Sequence, residues 1–255
     1  MKKIALTSLL AVFAAAGAHA ANAIDGNPLY MPRAGHFYSE TALSSHSEHG
    51  EDWTLGEQFG FGITDKLAVD VKTGLSEYES FDGYAWNDLS LGLTARVFEN
   101  RGWVADLYGR YAVDPVWGDH KPFLDEDTTG YTWTAGIRAG YMTPQWTVAG
   151  LFDFNYLGRE SFNWGDEGWH KLRAGVMGQY VIDSNWNLVA DAIYTGWTDD
   201  GVKNAGSWEG KFGVNYNFDA TKYIGAWVSA GLEHKTGDWE WADGVGYGVK
   251  FGIEF

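Results

Sequence analysis

The stretch YGVKFGIEF, residues 247 to 255, alternates without a break. Tyr247, Val249, Phe251, Ile253 and Phe255 are apolar or aromatic, while Gly248, Lys250, Gly252 and Glu254 fill the places between. Successive side chains of a strand point to opposite faces, so a period of two predicts a β-strand with one apolar and one polar face. What that apolar face meets depends on how the rest of the chain is built.

At the other end, MKKIALTSLLAVFAAAGAHA carries Lys2 and Lys3, an apolar stretch from Ile4 to Ala16, and Ala18-His19-Ala20. A charged start, an apolar run and a small-x-small site predict a cleaved secretory signal over residues 1–20, with Ala23 as a competing cleavage site. Beyond it no apolar run approaches the roughly 18 residues of a spanning helix. The 14 Trp, 14 Tyr, 14 Phe and 34 Gly stand against 5 Pro and no Cys. An exported chain without cysteine has no disulfide framework and no thiolate chemistry. The net charge of −16, which loss of Lys2 and Lys3 makes more negative, excludes a nucleic-acid partner, because phosphate contacts need clustered Lys and Arg.

Alternation and turn residues predict twelve strands, near 34–45, 53–63, 67–78, 85–98, 103–113, 130–142, 146–158, 169–182, 186–197, 206–218, 222–235 and 243–255. The connections alternate in length. TDK at 64, ENRG at 99, TPQ at 143, DSN at 183 and DATK at 219 are tight and turn-forming, and longer polar stretches lie between them, the longest from Asp114 to Gly130. Strands after three tight turns begin alike, at Trp103, Trp146 and Trp186, so the repeat unit is one hairpin with its loop. Short turns at one end, long loops at the other and Trp at the strand starts predict an all-β fold: a single antiparallel transmembrane barrel of twelve strands. Residues 21–33 then form a short periplasmic segment, and residues 34–255 the barrel.

Lipid offers no partner to a backbone amide, so strands cross it only as a closed sheet, and the apolar face of each strand must look outward. The terminal GVKFGIEF, with the signal peptide, resembles the closing strand of Gram-negative outer-membrane β-barrel proteins. The resemblance implies an outer-membrane location, lipid and lipopolysaccharide as surroundings, and Phe251, Ile253 and Phe255 as the signal read by the barrel-assembly machinery.

Parity sends the opposite face to the lumen. It places Asp70, Lys72, Asp88, Arg96, Asp106, Tyr108, Arg110, Arg138, Asp153, Asn155, Lys171, Arg173, Asp191, Glu209, Lys211, Glu233 and Lys250 inside. A Lys or Arg facing lipid at mid-depth costs about 2–4 kcal/mol, which enforces this sorting. Glu57 breaks it: alternation from Leu55 and Phe59 points it outward, so a bulge, a shifted register or an interfacial position is expected there. The remaining acids fall in the longer connections, with Asp119, Asp125, Glu126, Asp127, Asp166 and Glu167 foremost, and predict an acidic outer rim that favours cations.

Twelve strands lie between the roughly 8 of a side-chain-filled barrel and the 16–18 of a wide porin. The function expected is a porin-like channel for passive diffusion of small hydrophilic solutes, neutral or cationic. Two alternatives stand beside it: a closed barrel acting through its acidic loops, and a lipid-modifying enzyme using the cluster Ser45, His46, Ser47, Glu48 and His49. That cluster matches no catalytic phrase, and catalysis is not expected. Nor is a cofactor or a metal: DEDTTG at 125–130 lacks the ligand spacing of a calcium loop.

Overall fold

The computed structural model describes residues 26–47, 53–78, 83–87, 89–113, 128–161, 167–198, 206–235 and 238–255. The predicted signal, Asp88, and the acids at 119, 125–127 and 166 lie outside them. The strands are β1 (Phe37–His46), β2 (Trp53–Thr64), β3 (Leu67–Tyr78), β4 (Gly83–Trp86), β5 (Leu89–Asn100), β6 (Trp103–Val113) and β7 (Thr128–Met142). They continue as β8 (Trp146–Ser161), β9 (Glu167–Val181), β10 (Trp186–Trp197), β11 (Gly206–Asn217), β12 (Lys222–Lys235), β13 (Asp238–Trp241) and β14 (Gly246–Glu254).

Twelve of these close a ring. Each pairs antiparallel with its sequence neighbours, and β14 pairs with β1 to complete the circle. The four-residue β4 and β13 pair with β3 and β12, and so continue β5 and β14 past short interruptions at the loop end. The expected count of staves therefore holds, with two of them broken near the rim. Closure runs through the last residue: the Phe37 N–H donates to the Phe255 carbonyl at 2.8 Å, and the Phe255 N–H to the Phe37 carbonyl at 2.9 Å.

The tight turns follow their residues. Arg101 and Gly102 take φ of 48° and 86°, two successive left-handed positions that suit the right-handed twist of a two-residue hairpin. In the turn before β10, Asp183 Oδ1 accepts from the backbone N–H of Asn185 and Trp186. Asp219 accepts from the N–H and hydroxyl of Thr221 in the same manner, and these bonds hold its carboxyl below the usual range.

The outer wall carries Leu89, Leu91, Leu93, Phe152, Phe154, Phe212, Val228 and Phe251, all exposed. A continuous apolar surface of this kind needs an apolar surround. Aromatic pairs band it at both ends: Trp103 with Tyr141, and Trp186 with Tyr216, near the turns; Tyr111 with Trp133, and Trp53 with Tyr247, near the loops. Glu57 does stand on this outward face. The pairing Thr41↔Glu57↔Thr73 is regular, and the irregularity in the β2–β3 ladder falls at Gly62/Thr64, so neither bulge nor shifted register explains it. Instead Ser39 Oγ donates to Glu57 Oε1 at 2.7 Å, and Thr41 Oγ1 to Oε2 at 2.5 Å.

Candidate functional site: the lumen

Outside the Ser39, Thr41, Glu57 and Thr73 group, alternation carries most polar residues of the staves inward, and register decides which of them meet. Asp106 of β6 lies between Arg96 of β5 and Arg138 of β7, its direct cross-strand partners. Its side chain is wholly buried, and it accepts from Arg96 Nε at 2.9 Å and Arg138 Nε at 2.9 Å. One carboxylate thus pairs with two guanidiniums, which leaves the trio one positive charge in excess, and each guanidinium keeps donors to spare.

Those donors hold a piece of the chain that precedes the barrel. Arg96 Nη2 donates to the Leu29 carbonyl at 2.6 Å, and Arg138 Nη2 to the Tyr30 carbonyl at 2.8 Å. Residues 26–33, expected to precede the barrel on the periplasmic side, enter its lumen at the turn end. Leu29, 1% exposed, packs with Val104 and Ala149, and with Met142 and Met177 around them. Full burial of such a side chain contributes roughly 1.5–3 kcal/mol. The Tyr30 hydroxyl donates to Glu254 at 3.2 Å, and burial together with the Glu254 charge pushes its pKa far above the phenol range. Gly26 takes φ of 97°, and a Cβ there would meet Val189 Cγ1 at 2.5 Å, so the segment also lies tight against β10. Its anchors come from β5, β7, β10 and β14, right around the barrel.

Above the segment is a chamber of about 390 Å³, floored by Asn27, Tyr30 and Pro32. Asp70, Lys72, Tyr108, Arg110, Arg138, Asp153 and Arg173 line it, together with Tyr38 and Gln58. Within the wall, Arg110 pairs with Asp70 and donates to Ser90 Oγ at 2.7 Å. Asp153, 1% exposed, accepts from the Tyr108 hydroxyl at 2.7 Å and from Asn155 Nδ2 at 2.6 Å, with Arg173 Nη1 at 3.6 Å. The acids are therefore consumed by wall contacts, and the space is left to the basic side chains. Lys72 is the most exposed of them.

The remaining predicted residues line the β9–β14 side. Lys171 stands over the Trp197 ring at 5.5 Å, and Lys211 over Trp227 at 4.2 Å. Lys250 lies 3.8 Å from Glu40 and 5.2 Å from the Tyr223 ring centre. Asp191 is the cross-strand neighbour of Lys211, Glu209 faces inward two residues before it, and Glu233 faces inward nearer the loops. Asp106 and Asn155 are in the lumen wall but buried, so they position neighbours rather than border open space. Of the predicted rim, only the backbone of Glu167 is described, within β9. The proposed serine cluster is split: Ser45 follows the outward face beside Tyr247 and Trp53, His46 turns inward, and Ser47 accepts from the Val245 N–H at 2.7 Å.

No protein-family model matches the chain, and no curated protein matches it. Solved structures do. The NanC porin aligns with a TM-score of 0.58 at 9% identity, over 85% of this chain and 98% of that one. The COG4313 outer membrane channel from Pseudomonas putida F1 aligns at 0.58 and 13% identity, over 91% and 98%. The KdgM porin, in complex with disordered oligogalacturonate, aligns at 0.53 and 8% identity, over 86% and 99%. The fold is that of the outer-membrane β-barrels. At these identities the likeness is one of architecture, and the lumen side chains must speak for this barrel alone.

Sequence reasoning missed the segment at 26–33, and with it Tyr30, Glu254, Tyr38 and Gln58. A signal existed in NPLYMP, residues 27–32: two prolines and three consecutive large apolar residues do not alternate, and fit neither a strand nor a solvated tail.

Proposed function

We propose that this protein is a passive channel of the outer membrane for small hydrophilic solutes, and that neutral solutes pass most readily. The carrying observation is the chamber inside the closed barrel, lined by Lys72, Arg110, Arg138 and Arg173 against Asp70 and Asp153. Such a lining offers hydrogen bonds and fixed dipoles to a polar solute. The charges of the path are arranged in series. Acids predicted at the rim attract cations, and the basic chamber then opposes them; anions meet the reverse order. A neutral solute meets neither barrier.

The test is swelling of liposomes carrying the refolded protein in neutral, cationic and anionic solutes of matched size, together with conductance in a planar bilayer. Swelling that is fastest for the neutral solute supports the reading. Folded barrels that neither swell nor conduct would overturn it. The segment at 26–33 favours a second reading, a barrel closed at rest that acts through its loops. A silent full-length chain that conducts once residues 26–33 are removed would support that reading.

A further inference from the structure

A carboxylate in the middle of an apolar outer wall needs a reason that the channel does not supply. Glu57 is four residues along β2 from Trp53 and seven from Thr64, or ~13 Å and ~23 Å at the usual strand rise. It is therefore well inside an apolar belt of about 25 Å. Its two oxygens accept from Ser39 and Thr41 of β1, and Thr73 of β3 is its cross-strand partner on the other side. These four residues form one hydrogen-bonding patch. Leu43, Leu55, Phe59, Val71 and Phe251, all exposed, surround it. A polar centre with an apolar rim inverts the pattern of a water-facing interface, and is what an interface within lipid calls for, since hydrocarbon cannot satisfy the free lone pairs of Glu57.

We propose that the outward face of β1, β2 and β3 is a contact between two copies of this chain, side by side in the membrane, with the Ser39, Thr41, Glu57 and Thr73 patches facing one another. Depth selects the occupant. Two barrels in one bilayer meet at equal heights, so the partner must present polar groups at the height of Glu57. Among the described residues, the polar, non-aromatic side chains on the outer wall away from its ends are these four; Ser45, Glu77, His170 and His234 stand near the loop end. The matching surface on another copy is thus the same patch, which makes the contact isologous and closed at two. Hydroxyls both donate and accept, so Ser39, Thr41 and Thr73 of one copy can pair with Glu57 of the other without a change of surface.

The chain has no cysteine, so single thiols can be introduced and read without background. Val71→Cys borders the patch on β3, and Val176→Cys lies outward on β9, five staves away on the far wall. In native membranes treated with a membrane-permeant bis-maleimide, Val71→Cys should yield a dimer band and Val176→Cys should not. Adding Glu57→Leu to Val71→Cys should lower that band to the Val176→Cys level, while heat-shifted gel mobility reports that the barrel is folded. Native mass spectrometry of the unsubstituted protein should give the mass of two chains. Cross-linking at Val71 no stronger than at Val176, cross-linking indifferent to Glu57→Leu in a folded barrel, or a one-chain mass would each overturn the proposal.

Discussion

Arg138 holds Tyr30 by its backbone: Nη2 donates to the Tyr30 carbonyl at 2.8 Å, while Nε of the same guanidinium donates to the buried Asp106. The carboxylate fixes the arginine, and the arginine fixes the segment that crosses the lumen. A charge-assisted hydrogen bond contributes about 1.5–3 kcal/mol, so loss of one shifts the seating of the segment by about 10-fold or more. Arg138→Ala combined with Arg96→Ala should therefore raise single-channel conductance toward that of a chain lacking residues 26–33. Unchanged conductance in both variants would show that the segment does not limit flow.

Asp106→Ala removes the shared partner of two guanidiniums and leaves both facing each other in a buried site. Breaking such a pair costs about 3–5 kcal/mol. The temperature at which the barrel loses its heat-shifted mobility should fall clearly, and Asp106→Asn should fall less because the amide oxygen still accepts.

Alkali should loosen the segment. The Tyr30 phenol is raised by burial and then by the Glu254 charge, so its folded-state pKa exceeds the ordinary value near 10. A raised value means that the seated state keeps the proton, so its contribution is whole below pH ~10 and is lost as pH climbs beyond it. Conductance should rise above pH ~10 in the native chain, and Tyr30→Phe should remove that rise.

Arg110 and Lys72 border the chamber on the β3 and β6 wall. Arg110→Ala leaves Asp70 without its ion-pair partner and removes a positive charge from the path. Reversal potentials in a salt gradient should move toward cation preference, more with Lys72→Ala added. A reversal potential equal to that of the native chain would place these residues off the conducting path.

Deleting Phe255 removes both backbone bonds to Phe37 and the stacking of the two rings, whose centres are 6.1 Å apart. Closure of β14 on β1 should slow, and a larger share of the chain should remain unfolded in a pulse-labelled assembly assay. Truncation without effect on assembly would remove Phe255 from the expected signal.

The alternation of YGVKFGIEF and of its eleven counterparts was enough to read twelve staves, their tight turns and the faces they present. Those properties are local: a period of two and a turn residue act over two to six positions. Parity also placed Arg96, Asp106 and Arg138 on one face, yet could not say that one carboxylate serves both arginines. That depends on register, which a ring of twelve pairings sets together. The outward Glu57 was legible as an anomaly, and its two hydroxyl donors became visible only when β1 was laid beside β2. The segment at 26–33 was the least legible part, because NPLYMP has no periodicity of its own. Sequence by itself determined which residues share the outward face of a strand and which share the inward one. Tertiary structure alone decided what fills the lumen, since Leu29 and Tyr30 are held by arginines 67 and 108 residues away.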